Sequence, residues 1–225
     1  MPLAIAVLVS GSGSNLQAII DRIEAGTLDA EIRIVIANNA DAYGLERARK
    51  HGLEHLFIDH REFDSRAAFD LEMAKAIRAA GADTVVLAGF MRLLTPQFLA
   101  AFAGRVVNIH PALLPSFPGT HGQGDAVAYG VKLSGCTVHF VTEEMDSGPI
   151  IIQAAVPAEP DDDAGSLGGR ILALEHRIFP QAIQWLAEGR LKVDGRTVRL
   201  AESARPTAPA APGNWLVNPP LEDGF

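Results

Sequence analysis

The first 110 residues alternate between short apolar runs and segments whose apolar residues recur at helical spacing. The run from Leu3 to Ser10 is almost continuously apolar, as in a strand buried on both faces of a parallel sheet. The segment behind it has the three-and-four spacing of a helix, at Leu16, Ile19, Ile20 and Ile23. This alternation predicts β-α-β units and therefore a parallel sheet covered by helices.

The rest of the chain up to residue 200 continues the pattern. Further strands are predicted at EIRIVIANN, HLFID, TVVLAGFMRLL and VVNIH, and helices at YGLERARKHG, SRAAFDLEMAKAIRAAG, TPQFL and GDAVAYG. The remaining predicted elements are two antiparallel strands in 134–158, a long amphipathic helix in 166–189 and a hairpin in 190–200. We expect one Rossmann-like α/β domain over residues 1–200, with a mostly parallel open sheet, helices on both faces and an antiparallel C-terminal part.

Residues 201–225 differ in composition from everything before them. They are rich in proline and alanine, and their apolar residues are few. Because such a composition buries too little apolar surface to offset its ordering entropy, we expect a mobile tail that can be removed without loss of stability. Trp215, Leu216 and Val217 form the apolar cluster in this segment that could dock on the domain.

Asn108 and His110 end the β-branched run VVNIH, and Pro111 follows them. Because proline has no N–H to give to a central strand, the strand must end there. Side chains two residues apart point to the same face, so the Asn108 amide and the His110 imidazole can reach one bound atom. Ligands of open α/β sheets bind at such carboxyl ends. An amide donor beside a titratable ring suits oxyanion stabilisation combined with proton transfer.

The glycine loop GSGSN follows the first predicted strand and opens the first helix. Free N–H groups at a helix start bind anions, and Ser14 and Asn15 add side-chain donors, while Gly11 and Gly13 allow the tight turn. The loop predicts a phosphate site, with a plain strand-to-helix turn as the alternative. A dinucleotide site is disfavoured, because Leu16 replaces the third glycine of GxGxxG and the next strand ends in asparagines rather than an acid.

Charge and cysteine content narrow the possible partners and the compartment. The formal net charge is −8 and the isoelectric point about 5.3, with no dense basic block, which argues against a nucleic-acid or membrane partner. The single cysteine, Cys136, excludes an intrachain disulfide and a multi-cysteine metal site. The apolar run at Leu3 to Val9 is too short to span a bilayer and has no basic flank. We expect a cytoplasmic protein.

Five motifs, in this order along the chain, resemble the folate-dependent formyltransferase family: SGSGSNLQAIID, AGFMRLL, NIHPALLPSFPG, TVHFVTEEMDSGPII and LEHRIFP. The resemblance is strongest to members that act on glycinamide ribonucleotide. It implies transfer of the formyl group of 10-formyltetrahydrofolate to the amine of glycinamide ribonucleotide, giving formylglycinamide ribonucleotide and tetrahydrofolate. It also implies small-molecule partners, no metal, no nicotinamide cofactor, and a monomer or homodimer.

The family's motifs also imply roles for individual residues. The catalytic trio corresponds to Asn108, His110 and Asp146. The ribonucleotide would be bound by Gly13, Ser14, Asn15 and Glu175. The folate side would be formed by Arg66, Met91, Arg92, Leu93, Leu94, Val141 and Asp146. Ala112 stands where many members carry Ser, which we expect to change loop hydrogen bonding without removing the chemistry.

Three other functions compete with this interpretation. A formyltetrahydrofolate hydrolase would use the same trio with water as nucleophile, and a methionyl-tRNA formyltransferase would formylate a charged tRNA. We do not expect the hydrolase, which usually has a regulatory domain before the first strand, because only Met1 and Pro2 precede that strand here. We do not expect the tRNA enzyme, which usually has an added basic C-terminal domain, because the segment after residue 200 is proline-rich rather than basic. A non-catalytic phosphate-binding domain would explain GSGSN but not Asn108, His110 and Asp146.

Overall fold

The computed structural model describes residues 1–203, 205–208 and 215–225. The strands in these ranges are β1 (Leu3–Val9), β2 (Ala30–Ala37), β3 (His55–Phe57), β4 (Thr84–Leu87), β5 (Val106–His110), β6 (Leu133–Phe140), β7 (Ile150–Pro157), β8 (Leu191–Asp194), β9 (Thr197–Leu200) and β10 (Leu216–Asn218). The helices are α1 (Ser14–Glu24), α2 (Tyr43–Lys50), α3 (Arg66–Ala79), α4 (Pro96–Ala101), α5 (Gly122–Tyr129) and α6 (Ala164–Ala187). None of the helices in these ranges is long and apolar enough to cross a bilayer.

The strands form one open sheet in the order β3-β2-β1-β4-β5-β6-β7-β9-β8, with β10 paired to β7. Strands β3, β2, β1, β4 and β5 are parallel. Strand β6 runs antiparallel to both β5 and β7, and β7 pairs in parallel with β9. The predicted Rossmann-like architecture with its antiparallel C-terminal part is confirmed. Because β1 lies between β2 and β4, the strand order reverses there, and the loops after β1 and β4 border the crevice in which such sheets bind ligands.

Helices cover both faces of the sheet, as the apolar pattern predicts. Alternate residues of β1 enter two separate cores: Ile5, Val7 and Val9 lie in one, Ala6 and Leu8 in the other. Helices α1, α5 and α6 close the first core, while α3 and α4 close the second. The buried strands therefore show apolar residues on both faces and give the continuous runs seen in the sequence.

The strand predicted over 84–94 is shorter than expected and ends at Leu87. Beyond it, the backbone bonds across to the loop after β1: the Ser10 N–H donates to the Gly89 carbonyl at 3.0 Å. The Met91 N–H donates to Ser10 Oγ at 2.8 Å rather than to a strand. The apolar residues of 88–94 thus belong to a loop, because their backbone partners come from another loop and not from the sheet.

Residues 215–225 pack against the domain, so the expectation of a mobile tail does not hold for them. Val217 of β10 pairs with Ala154 of β7, and Leu221 and Phe225 are 9% and 5% exposed within the first core. The composition argument fails here because pairing with the edge of β7 and burial of a few apolar side chains offset the entropy cost of ordering this short segment. Residues 204 and 209–214 of the expected tail lie outside the described residues.

Candidate functional site

Asn108 and His110 lie at the carboxyl end of β5, where Pro111 ends the strand. His110 is 3% exposed and Asn108 is half-buried. On the neighbouring strand β6, His139 pairs directly with Asn108, and Asp146 follows in the turn before β7. The structure therefore brings together the three residues that the motifs assign to catalysis, and adds His139 to them.

The hydrogen bonds of His110 fix which ring nitrogen can exchange a proton. Nε2 lies 2.8 Å from the Phe117 carbonyl oxygen, and because a carbonyl only accepts, Nε2 carries a hydrogen. Nδ1 lies 3.5 Å from Oδ2 of Asp146, whose side chain is 11% exposed. When the ring is charged, its second proton is on Nδ1, beside the carboxylate.

Asp146 is oriented by the loop that follows β5. Its Oδ2 accepts the Gly119 N–H at 2.8 Å. Asp146 has a φ of 50°, a left-handed conformation that aspartate tolerates better than most residues and that is enriched at functional sites. The carboxylate is thus held between the loop and His110 by backbone geometry.

His139 acts as a hydrogen-bond acceptor for Asn108. Its Nδ1 donates to the Phe140 carbonyl at 2.9 Å, so Nε2 presents a lone pair to Nδ2 of Asn108 at 3.2 Å. Burial lowers the pKa of His139, which keeps the ring neutral and preserves this lone pair. One Asn108 N–H is used by His139, and the other has no partner among the residues that the structure describes, so it can donate to a bound molecule. The motifs assign no role to His139, because its place opposite Asn108 depends on the pairing of β5 with β6.

The loop after His110 is anchored from the sheet by Thr137 of β6 and Gln153 of β7. The buried Thr137 hydroxyl donates to the Ala112 carbonyl at 2.7 Å and accepts the Leu114 N–H at 3.1 Å. Nε2 of Gln153 donates to Thr137 Oγ1 at 3.0 Å and to the Leu114 carbonyl at 2.9 Å. This anchor fixes the loop from which Phe117 and Gly119 orient the catalytic groups. Thr137 lies in the motif TVHFVTEEMDSGPII, but the motif assigns it no role.

A largely apolar pocket opens beside this cluster. Asn108, His110 and Asp146 line it, together with five of the residues assigned to folate by the motifs: Met91, Arg92, Leu93, Leu94 and Val141. Within the described ranges, no group of three or more His, Cys, Asp or Glu side chains is arranged to hold a metal ion.

Arg66 does not line that pocket. It begins α3, and its charge acts together with that of Arg92 on the buried Asp70. Burial raises the pKa of Asp70, while the Thr95 N–H, which it accepts at 2.6 Å, lowers it. Arg92 lies over the Phe69 ring, 5.5 Å from its centroid.

A second, polar pocket lies over the glycine loop. Gly13, Ser14 and Asn15 line it, as the loop motif predicts. Glu175, which the motifs assign to the same ligand, does not line this pocket. It is buried in α6 behind the loop, and its Oε2 accepts Asn15 Nδ2 at 2.8 Å. Burial raises the pKa of Glu175, and the bond from Asn15 opposes that shift.

The two pockets adjoin, because Gly89 and Met91 line both. Ser10 ties them together: its hydroxyl accepts the Met91 N–H and donates to Oδ1 of Asn38 at 2.6 Å. Asn38, which directly follows β2 where a dinucleotide site would carry an acid, thus supports the junction of the two pockets. The arrangement can hold an anion in the polar pocket and a large flat molecule in the apolar pocket, with the Asn108 cluster next to both.

Comparisons with known proteins support this picture. Residues 3–183 match the family model described as formyl transferase. The chain is 48% identical over 189 residues to phosphoribosylglycinamide formyltransferase of Escherichia coli K12, covering 84% of this chain and 89% of that protein. It is 50% identical over 187 residues to the trifunctional purine biosynthetic protein adenosine-3 of Drosophila melanogaster, covering 82% of this chain and 14% of that protein.

Solved structures agree with the sequence comparisons. The crystal structure of glycinamide ribonucleotide transformylase 1 from Symbiobacterium toebii is similar with a TM-score of 0.88 and 52% sequence identity. The match covers 89% of this chain and 95% of that chain, so it includes the elements that carry both pockets.

Proposed function

The chain belongs to the formyl transferase family, and we propose that its reaction takes place at Asn108, His110 and Asp146. The enzyme transfers the formyl group of 10-formyltetrahydrofolate to the amine of glycinamide ribonucleotide, giving formylglycinamide ribonucleotide and tetrahydrofolate, in purine biosynthesis. The observation that carries the assignment of the site is that one pocket contains all three side chains and adjoins the glycine-loop pocket at Gly89 and Met91.

The assignment divides the two substrates between the two pockets. The ribonucleotide phosphate binds at Gly13, Ser14 and Asn15, with Glu175 holding Asn15 from behind. Folate binds in the apolar pocket along Met91 to Leu94 and Val141. Arg66, near Arg92, lies outside that lining and is available to the charged end of the folate. The bound amine and the formyl carbon then meet at the junction of the pockets.

Attack of the amine on the formyl carbon creates an oxyanion and a positively charged nitrogen. The Asn108 N–H that His139 leaves free donates to the oxyanion, and a protonated Nδ1 of His110 adds a second, charged donor. Asp146 stabilises that charge from 3.5 Å. Since the substrate supplies the nucleophile, no activated serine or cysteine is needed.

Product formation requires one proton to leave the attacking amine and one to reach nitrogen 10 of the folate, as the bond from that nitrogen to the formyl carbon breaks. Nδ1 of His110 is the atom suited to this exchange, because Nε2 is committed to the Phe117 carbonyl. The carboxylate of Asp146 keeps the ring oriented throughout.

One assay tests the function directly. Tetrahydrofolate formation from 10-formyltetrahydrofolate is measured with and without glycinamide ribonucleotide. We expect release that depends on the ribonucleotide. Release without it would identify a hydrolase, and release that depends on charged methionyl-tRNA would identify the tRNA enzyme; either result would overturn the proposal.

Replacement of Gly13 by Val tests the phosphate site. Gly13 has a φ of +66°, and a Cβ there would lie 2.6 Å from Cα of Gly44, so the loop must shift. We expect the KM for glycinamide ribonucleotide to rise much more than the KM for folate, as measured by steady-state kinetics with each substrate varied. Equal effects on both constants would contradict the assignment.

Replacement of Thr137 by Val tests the anchor of the catalytic loop. The change leaves the Leu114 N–H without its acceptor, and a buried unpaired N–H costs about 1–3 kcal/mol. If the loop shifts to give this N–H another partner, we expect kcat to fall roughly tenfold. Thr137→Ser should restore kcat. Thr84→Val is the matched control, at another buried threonine whose hydroxyl donates to Oδ1 of the adjacent Asp83, and it should keep normal kcat. Normal kcat in Thr137→Val would exclude the anchoring role.

A further inference from the structure

Helix α2 supports the glycine loop from the side opposite the polar pocket. The Gly44 N–H donates to the Gly11 carbonyl at 3.1 Å, and Nε of Arg47 donates to the Ser12 carbonyl at 2.9 Å. Nη1 of Arg47 also donates to Oε1 of Gln17 in α1 at 3.1 Å. One side chain therefore ties the loop to the helix that follows it.

These two bonds set the direction of the loop's N–H groups. In a planar trans peptide the C=O and the N–H point in opposite directions. With the Gly11 and Ser12 carbonyls directed at α2, the N–H groups of Ser12 and Gly13 point away from α2. Ser12 and Gly13 line the polar pocket, where two successive N–H groups form an anion-binding concavity.

The contact between α2 and the loop leaves no space for adjustment. A Cβ on Gly13 would lie 2.6 Å from Cα of Gly44, and a Cβ on Gly44 would lie 2.8 Å from Cγ2 of Val9. The backbones of the loop and α2 are thus in direct contact, and α2 packs in turn on the Val9 side chain of β1. A change in the Arg47 bond is transmitted to the loop rather than absorbed by side chains.

The chemistry of the polar pocket indicates what Arg47 adds. The residues lining the pocket carry no charged side chain, although the protein has a net charge of −8. A phosphate dianion there needs a compensating cation, and Arg47 places one in contact with the loop. Asn15 also lines the pocket and is 8% exposed. Its buried Oδ1 has no hydrogen-bond partner among the described residues, and as an acceptor it suits a hydroxyl or amine of the ribonucleotide rather than the phosphate itself.

We propose that Arg47 is a positioning residue for the phosphate of glycinamide ribonucleotide: it fixes the Ser12 carbonyl, directs the loop N–H groups at the phosphate and supplies positive charge behind them. This inference rests on the proposed phosphate site in the glycine loop. It assigns to α2, which no motif connected with substrate, a role in selecting phosphorylated over unphosphorylated amines.

The test compares Arg47→Ala with Arg49→Ala. Arg49 lies on the same helix and is exposed, and among the described residues its side chain pairs with Glu46 alone. Its loss therefore changes the net charge equally without touching the loop. For Arg47→Ala we expect the KM for glycinamide ribonucleotide to rise about 10- to 30-fold, with little change in kcat or in the KM for folate. Arg47→Lys keeps the charge but not the planar guanidinium with its several N–H donors, so its KM for glycinamide ribonucleotide should be intermediate. Arg49→Ala should match the wild type.

Inorganic phosphate, as a competitive inhibitor against glycinamide ribonucleotide, separates this inference from the proposed function. Its inhibition constant should rise in Arg47→Ala by the same factor as the KM. Turnover of glycinamide riboside, which lacks the phosphate, should be equally slow in the wild type and the variant. If Arg47→Ala keeps the KM and the phosphate inhibition constant of the wild type, the role of Arg47 is overturned and the activity stands. If the wild-type enzyme shows no ribonucleotide-dependent transfer, the function itself is overturned.

Discussion

Asp146→Asn should lower turnover by about two to four orders of magnitude, the range expected when acid–base or oxyanion assistance is lost. The substitution keeps the size of the side chain and an oxygen that can accept the Gly119 N–H, but it removes the negative charge 3.5 Å from Nδ1 of His110. The imidazolium that donates to the oxyanion then loses its counter-ion. Steady-state kcat with both substrates saturating measures the effect.

The KM for glycinamide ribonucleotide serves as the internal control for this variant. Asp146 lines the apolar pocket and not the glycine-loop pocket, so ribonucleotide binding should change little. Asp146→Ala also loses the acceptor for Gly119, and its turnover should fall further because the loop is no longer held. An Asp146→Asn enzyme with turnover close to that of the wild type would refute the catalytic role of the charge.

Truncation after Ser203 should lower the melting temperature by about 10 °C. Burial of a Leu or Phe side chain contributes about 1.5–3 kcal/mol to the free energy of unfolding, and 1 kcal/mol corresponds to about 2–4 °C in a domain of this size. Leu221 and Phe225 both leave the first core in this variant. Arg190 also loses Glu222, which lies 2.7 Å away and is 7% exposed. Thermal unfolding followed by circular dichroism or calorimetry measures the shift.

Two point variants separate packing from chain length. Phe225→Ala should account for a large part of the loss, because Phe225 is 5% exposed and its ring lies under the Arg22 guanidinium. The variant keeps the Phe225 backbone oxygen, which accepts from Nη2 of Arg177 at 2.8 Å. Leu216→Ala, at a side chain that is 71% exposed, should leave the melting temperature unchanged. Turnover should be normal in all three variants, since no described residue after 200 lines either pocket. An unchanged melting temperature after truncation would show that the segment contributes no stability.

Much of the candidate site could be located from local sequence. Asn108 and His110 were predicted at a strand end because Pro111 interrupts the β-branched run, and Gly13, Ser14 and Asn15 were predicted at a helix start by the glycine loop. Both signals depend on residues within a few positions of each other. Asp146 is different: its turn could be predicted, but its pairing with His110 came only from the family resemblance, since 36 residues separate them along the chain.

The supporting residues were not predictable in this way. Thr137 bonds to Leu114 across 23 positions, and Arg47 bonds to Ser12 across 35. Thr137 opens the motif TVHFVTEEMDSGPII but received no role from it, and Arg47 belongs to none of the five motifs. A buried threonine or a helical arginine has many ordinary roles. Only the strand order and the packing of α2 on the loop bring these partners within hydrogen-bond distance.

The sequence alone determined most elements of residues 1–200, their order and the fold class. Hydrophobic periodicity and turn residues act over short distances, and the alternation of strand and helix restricts the topology. It also determined the family, through motifs that keep their order along the chain. The tertiary structure decided which side chains meet, which ring nitrogen of His110 is free, and that residues 215–225 dock on β7. These depend on burial and on hydrogen bonds between distant segments, whose free energy does not exist until the chain has folded.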